Sequence, residues 1–174
     1  MVGRADRVGA AHRRRRVSGR DTHGDAARWL DDDEQRAWRG LVAVLLRLPA
    51  ALERQLQADA ELTHFEYFVL ALLSEADERT LRLSHLAAQA DASLSRLSHV
   101  VTRLEKRGLV RRVPCPEERR ATNAVLTAEG WALVVATAPG HVAEVRRRVF
   151  DALTPREVAQ LERICTRILA PVGR

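Results

Sequence analysis

The 174-residue sequence predicts a mainly α fold, a winged helix-turn-helix framed by long terminal helices and carrying a small β-hairpin wing. Three features carry this prediction. Apolar residues recur at helical spacing near both ends of the chain, a short capped helix is followed at once by a longer one, and two β-prone runs stand behind the glycine that stops that longer helix.

Composition sets the frame. With 46% apolar residues the chain can build a core. No run approaches the roughly 20 apolar residues a membrane helix needs, and no apolar segment follows the first arginines, so neither a membrane partner nor a secretory signal is expected and the protein reads as cytoplasmic. The net charge of +6 suggests an anionic partner. Lys106 is the only lysine among 29 basic residues, so arginine usage is biased and the placement of charge says more than its sum. Residues 1–28 hold eight arginines against Asp6, Asp21 and Asp25; residues 93–120 hold eight basic residues against Glu105, Glu117 and Glu118. Two basic islands therefore sit on an acidic body.

Residues 1–28, with Arg13 to Arg16 and scattered Gly, Ser and His, lack hydrophobic periodicity and are expected to be a disordered basic tail. Residues 29–60 form the first long helix. Asp31 to Glu34 suit its positive end, and Trp38, Leu41, Val42, Leu45, Leu46, Leu48, Leu52 and Leu56 recur at helical spacing. Pro49 is expected to kink or end it. In "LTHFEYFVLALLSE", Thr63 and Glu66 form a capping box, Leu62 is placed to staple against Tyr67, and Phe65, Phe68, Val69, Leu72 and Leu73 read as a central core helix.

After a polar link, "LRLSHLAAQADASLSRLSHVVTRLEKRGL" contains two helices. Ser84 is placed to cap the first, and Asp91 or Ser93 the second. At 100° per residue Leu94, Leu97, Val100, Val101 and Leu104 share a stripe about 120° wide that must be buried, with Ser95, Arg96, His99, Thr102, Arg103 and Lys106 opposite. Gly108 ends this helix as a residue able to turn left-handed. "LVRRV" and "ATNAVLT" about "PCPEERR" read as a hairpin, the wing, whose tip carries Arg119 and Arg120.

The remaining residues, 128–174, add two helices. Thr127 caps one that runs through Trp131, Leu133, Val134, Val135, Val142, Val145 and Val149, with a bend expected at Pro139 and Gly140. Thr154, Pro155 and Glu157 start the last, with Val158, Leu161, Ile164, Ile168 and Leu169 as its stripe. Together with the first helix they carry more apolar surface than a small wing module needs, which a second copy would bury.

The order "LTHFEYFVLALLSE", "LSHLAAQADASLSRLSHVVTRLEKRGLVRR", "CPEERRATNAVLTAEG" resembles the MarR family of bacterial winged helix-turn-helix regulators, over residues about 30 to 170 and most strongly over 62 to 130. The family's wing commonly reads Asp-Pro-x-Asp-Arg-Arg; this chain matches at Pro116, Arg119 and Arg120 and departs at Cys115 and Glu118. The resemblance implies a homodimer, joined through the terminal helices 29–60 and 128–174, whose domain 61–127 binds double-stranded DNA at a palindromic operator as a transcriptional regulator, mostly a repressor. It implies that Arg119 enters the minor groove. The expected DNA-binding residues are Ser93, Ser95, Arg96, Ser98, His99, Thr102, Arg103, Lys106, Arg111, Arg119 and Arg120. An effector pocket for a small aromatic or phenolic molecule is expected among Trp38, His64, Phe65, Tyr67, Phe68 and Trp131.

Other chemistries find no support. His12, His23, His64, His85, His99 and His141 are scattered, and Cys115 and Cys165 match no zinc or redox spacing, so no metal site is expected. There is no Gly-rich phosphate loop, no G-x-S-x-G elbow and no cofactor motif, so the chain is not read as an enzyme. Two alternatives stay open at this point: a winged-helix module that binds protein, and a redox-sensing regulator that uses Cys115 as an accessible thiolate beside Arg111, Arg112 and Arg119. The polar face of 93–106 favours DNA over protein.

Overall fold

A computed structural model describes residues 28–116, 118 and 121–172. The expected basic tail, except Arg28, and the wing residues Arg119 and Arg120 lie outside them. Six helices surround a three-stranded antiparallel sheet: α1 Asp32–Ala60, α2 His64–Glu75, β1 Thr80–Arg82, α3 Leu83–Gln89, α4 Leu94–Lys106, β2 Val110–Pro114, β3 Thr122–Leu126, α5 Ala128–Arg148 and α6 Pro155–Val172. The arrangement is the mainly α winged helix-turn-helix that the sequence predicts, with β2 and β3 as the wing.

The helix starts follow local chemistry. Asp31 and Glu34 form a capping box on α1, Thr63 and Glu66 one on α2, and Thr154 and Glu157 exchange the same hydrogen bonds at α6. Ser93 caps α4, its Oγ accepting from the Arg96 N–H at 3.2 Å, which decides between the two caps considered. Gly108, at φ +72°, stops α4 in a Schellman turn: its N–H donates to the Glu105 carbonyl, and the Leu109 N–H to that of Leu104.

The core joins Leu56 of α1, Leu62, Val69, Leu70 and Leu73 around α2, Leu86 of α3, Leu97, Val101 and Leu104 of α4, and Val110, Ala124 and Leu126 of the wing. Apart from Leu62, which lies between α1 and α2, each is on the face of its helix or strand that turns to this centre. Burying a leucine or valine contributes about 1.5–3 kcal/mol.

Several expectations need correction. The link at 76–82 is not only polar connection: Thr80–Arg82 pairs with β3, giving the order β1-β3-β2, with Leu81 opposite Ala124. A three-residue edge strand has too little alternation to be read from sequence. Ser84 does not cap α3, whose N-cap is Arg82 without a side-chain bond. Pro49 does not end α1, which runs 29 residues with the proline inside it. Leu94, assigned to the buried stripe, is 53% exposed, since the first turn of α4 projects beyond the core; Phe68, assigned to the core helix, is 40% exposed.

The join between α4, the wing and α5 is close-packed. Thr127 Oγ1 donates towards the carbonyls of Gly108 and Leu109, and accepts from the Gly130 N–H as the cap of α5. A Cβ at Gly130 would run into the Leu109 carbonyl oxygen and approach Leu126 Cδ1 to 2.7 Å, whereas one at Gly40 would meet nothing within 4 Å. Gly130→Ala is therefore expected to destabilise by about 1–3 kcal/mol, while Gly40→Ala in α1 stabilises by about 0.5–1 kcal/mol. Urea denaturation of both variants checks this, and equal effects would contradict the close approach.

Candidate nucleic-acid interface

Burial of Leu97, Val100, Val101 and Leu104 fixes the roll of α4, so Ser95, Arg96, His99, Thr102, Arg103 and Lys106 all stand exposed on its opposite side, with Ser98 half-buried at the edge. Ser93, Ser95, Arg96, His99 and Arg103 line one cleft of about 610 Å³ together with Thr63 and Phe65 at the start of α2. α2 steadies two of these arginines. The Arg96 guanidinium lies 4.3 Å over the Phe65 ring. Arg103 Nε donates to Glu66 Oε1 at 2.9 Å.

Glu66 is buried and both of its oxygens are engaged. Oε2 accepts from the Thr63 N–H and hydroxyl at the head of α2, and Oε1 takes Arg103. Burial acts to raise its pKa, but the Thr63 N–H, the Arg103 guanidinium and the Thr63 hydroxyl outweigh it and hold the carboxyl below the ordinary glutamate range. The cap of α2 and the orientation of Arg103 thus depend on one carboxylate.

Arg112, absent from the expected site, locks the wing to α4. Its N–H donates to Glu105 Oε1 and its Nη1 to Glu105 Oε2, while Nη2 reaches the Ser98 carbonyl at 2.8 Å and Thr102 Oγ1 at 3.0 Å. Ser98 and Thr102 are therefore engaged from inside the protein, and Thr102 also donates to the Ser98 carbonyl. Arg111, the next residue along β2, is exposed. Alternation along "VRRV" shows that the two arginines take opposite faces, but not which one turns inward. At the tip, Arg82 of β1 pairs with Glu118 at 2.7 Å. The same guanidinium donates to Cys115 Sγ at 3.6 Å.

Cys115 is 6% exposed, and its N–H is bonded to the Ala121 carbonyl. The accessible thiolate required by the redox alternative is not what the fold builds, because the strand pairing below the tip turns this side chain inward. Of the six expected effector residues, Trp38 and Phe65 line different clefts. Trp38, 55% exposed, lies in a shallow groove of α1, Phe65 belongs to the α4 cleft, Phe68 faces out, and Trp131 lies 4.0 Å beneath the Arg79 guanidinium. His64 and Tyr67 both meet the His141 ring of α5, whose Nδ1 is 3.2 Å from Gln55 Oε1. Burial first, and then His64, holds the His141 pKa below the ordinary range; burial, helped by Glu75, raises that of Tyr67. Periodicity placed these aromatics on helices but could not show that the helices turn them in different directions. Among the described residues no group of three or more His, Cys, Asp or Glu is placed to hold a metal ion, and no helix is long and apolar enough to cross a membrane.

Because the Glu66 pKa is depressed on folding, its contribution is complete above the unfolded glutamate value and is lost as pH falls through the folded one. Urea midpoints measured from neutral pH down to about 3 are expected to fall less steeply for Glu66→Gln than for the wild type, since glutamine keeps the cap but does not titrate. An unchanged acid limb would contradict the assignment. Arg112→Ala is expected to cost roughly 1–2 kcal/mol and to speed amide exchange over Val110–Pro114. Exchange as slow as in the wild type would show that the wing needs no such lock.

The comparisons with known proteins agree with this geometry. Residues 62–122 match the MarR family model. Sco3205, a MarR family transcriptional regulator from Streptomyces coelicolor whose crystal structure is in complex with DNA, is 43% identical, with a TM-score of 0.83 over 87% of this chain and 94% of its own. AbsC, a MarR family transcriptional regulator from the same organism, is 41% identical, with a TM-score of 0.81 over 84% of this chain and 98% of its own. A mutant MarR from E. coli complexed with operator DNA shares the fold at 23% identity, with a TM-score of 0.69 over 77% of this chain and 94% of its own. No curated protein matches the chain. At this identity over nearly the whole length of Sco3205 and AbsC, the chain belongs to the MarR family, whose members are transcriptional regulators rather than enzymes.

Proposed function

We propose that this regulator is a cytoplasmic homodimer that binds double-stranded DNA at a palindromic operator and acts as a repressor, with a small aromatic or phenolic effector shifting the spacing of its two heads. The observation that carries the DNA reading is α4 itself, anchored by one apolar face and presenting hydroxyls, an imidazole and guanidinium groups on the other. Ser93, Ser95, Arg96, His99, Arg103 and Lys106 are the groove-facing set in this reading. Arg111, Arg119 and Arg120 contact the backbone or minor groove from the wing, and Ser98 and Thr102 support the helix. Leu94, exposed at the N-terminal end of α4, suits contact with a thymine methyl group. The DNA-bound relative supports the same reading.

Dimerisation is supported by what one chain leaves uncovered. No residue of α6 is buried, although Leu161, Ile164, Ile168 and Leu169 form an apolar stripe. Val44, Leu45 and Leu46 of α1 and Val135 and Val142 of α5 are exposed as well. Apolar patches of this extent mark association surfaces. In this reading 29–60 and 128–174 form the dimer body and 61–127 the DNA-binding lobe. The two recognition helices then lie one DNA turn apart, roughly 34 Å. An effector acts only through unequal affinity for two head spacings.

Titration with bulk duplex DNA at two salt concentrations tests the reading, together with sedimentation of the free protein. Binding is expected to weaken at higher salt and the mass to be twice that of the chain. Arg119→Ala is expected to weaken binding to all sequences, and changes at Ser95, Arg96 or His99 to alter the preferred sequence. Salt-independent binding would remove the DNA reading, and a monomer would remove the palindrome.

A further inference from the structure

The C-terminal end of α4 meets the C-terminal end of α1 through one side chain. Arg107, the C-cap of α4, donates from Nη1 to the Glu61 carbonyl at 2.8 Å and from Nη2 to the Ala60 carbonyl at 3.1 Å. Ala60 is the last residue of α1, and Glu61 its C-cap, held left-handed at φ +54°. The last carbonyls of a helix have no partner within it and carry the negative end of its dipole, so a guanidinium is the group that fits them. One turn earlier on α4, Arg103 is held by Glu66, five residues beyond Glu61. The corner between α1 and α2 therefore grips the recognition helix at two arginines separated by one turn. α1 is also the helix whose other half leaves Trp38, Val44, Leu45 and Leu46 uncovered.

We infer that Arg107 is a positioning residue for DNA reading: its two-pronged bond carries the direction of α1, and with it the geometry of the dimer body, to the recognition helix. The inference rests on the DNA-binding dimer proposed above. It assigns Arg107 no contact with DNA, although a sequence reading would count it among the basic residues of 93–120. Its guanidinium is spent on carbonyls. What it contributes is a fixed angle between the body and the head, and so a preferred distance between two half-sites.

The test uses the full-length protein, with a duplex selected from random-sequence DNA by binding to the wild type and two derivatives in which the half-sites are one base pair closer or further apart. Arg107→Ala and Arg107→Lys are compared with the wild type for affinity, spacing preference and the slope of log K against log salt. Arg107→Ala is expected to bind the selected duplex about three- to thirtyfold more weakly and to discriminate less among the three spacings. Its salt slope should match that of the wild type, because no phosphate contact is lost. Arg107→Lys keeps the charge but loses the fork, so it is expected to lose spacing discrimination as well; it also serves should Arg107→Ala fail to fold. A salt slope lower by about one would make Arg107 a phosphate contact and overturn the inference. An unchanged spacing preference in both variants would also overturn it. If the wild type itself bound DNA without salt dependence, the DNA reading would fail instead, and the two failures are thereby distinguished.

Discussion

Leu97, Val100, Val101 and Leu104 close one face of α4 to water within a core shared with α1, α2, α3 and the wing, and the placement of the candidate DNA contacts on α4 follows from that burial. A helix held along one stripe has its roll determined to within a fraction of a turn. Its hydroxyl, imidazole and guanidinium groups are then presented on the opposite side. Polar anchors refine the result at three points: Phe65 and Glu66 under Arg96 and Arg103, Glu105 and Arg112 between helix and wing, and Arg107 at the end of α1.

Arginine has two roles in this lobe. Arg103, Arg107 and Arg112 are near one another in sequence, yet their guanidinium groups are bonded to a buried carboxylate, to helix-end carbonyls, and to a carboxylate with a serine and a threonine. The planar fork suits all three tasks better than a flexible ammonium does. The bias towards arginine in the chain therefore contributes to the rigidity of the lobe as well as to its charge. Arg111 and Lys106 stay exposed and leave their charge to the outside.

Burial is uneven along the chain. Leu62, Leu70, Leu73 and Leu86 are fully buried in a single chain, in a cluster that also takes Leu56 of α1 and Val134 of α5. By contrast, α6 buries nothing and the first half of α1 leaves a row of apolar residues uncovered. The Thr127 hydroxyl and the close approach of Gly130 to the Leu109 carbonyl join the end of the α4 turn to the start of α5.

The sequence by itself determined the starts of α1, α2, α5 and α6, the glycine that ends α4, most of the buried stripe of α4 and the position of the wing, because caps, the left-handed glycine and 100° periodicity are local properties of the chain. Thr63 with Glu66, Ser93, Gly108 and Thr127 all act where local chemistry places them. Only the tertiary structure decided that Thr80–Arg82 joins the sheet, that Leu94 and Phe68 face outward, that Cys115 is enclosed and that the expected effector aromatics part company. It also decided which arginines are occupied by the protein. Each of these outcomes depends on a partner distant in sequence, such as β3 for β1, Glu66 for Arg103 and Ala60 for Arg107, and no local pattern encodes which distant group a side chain will meet.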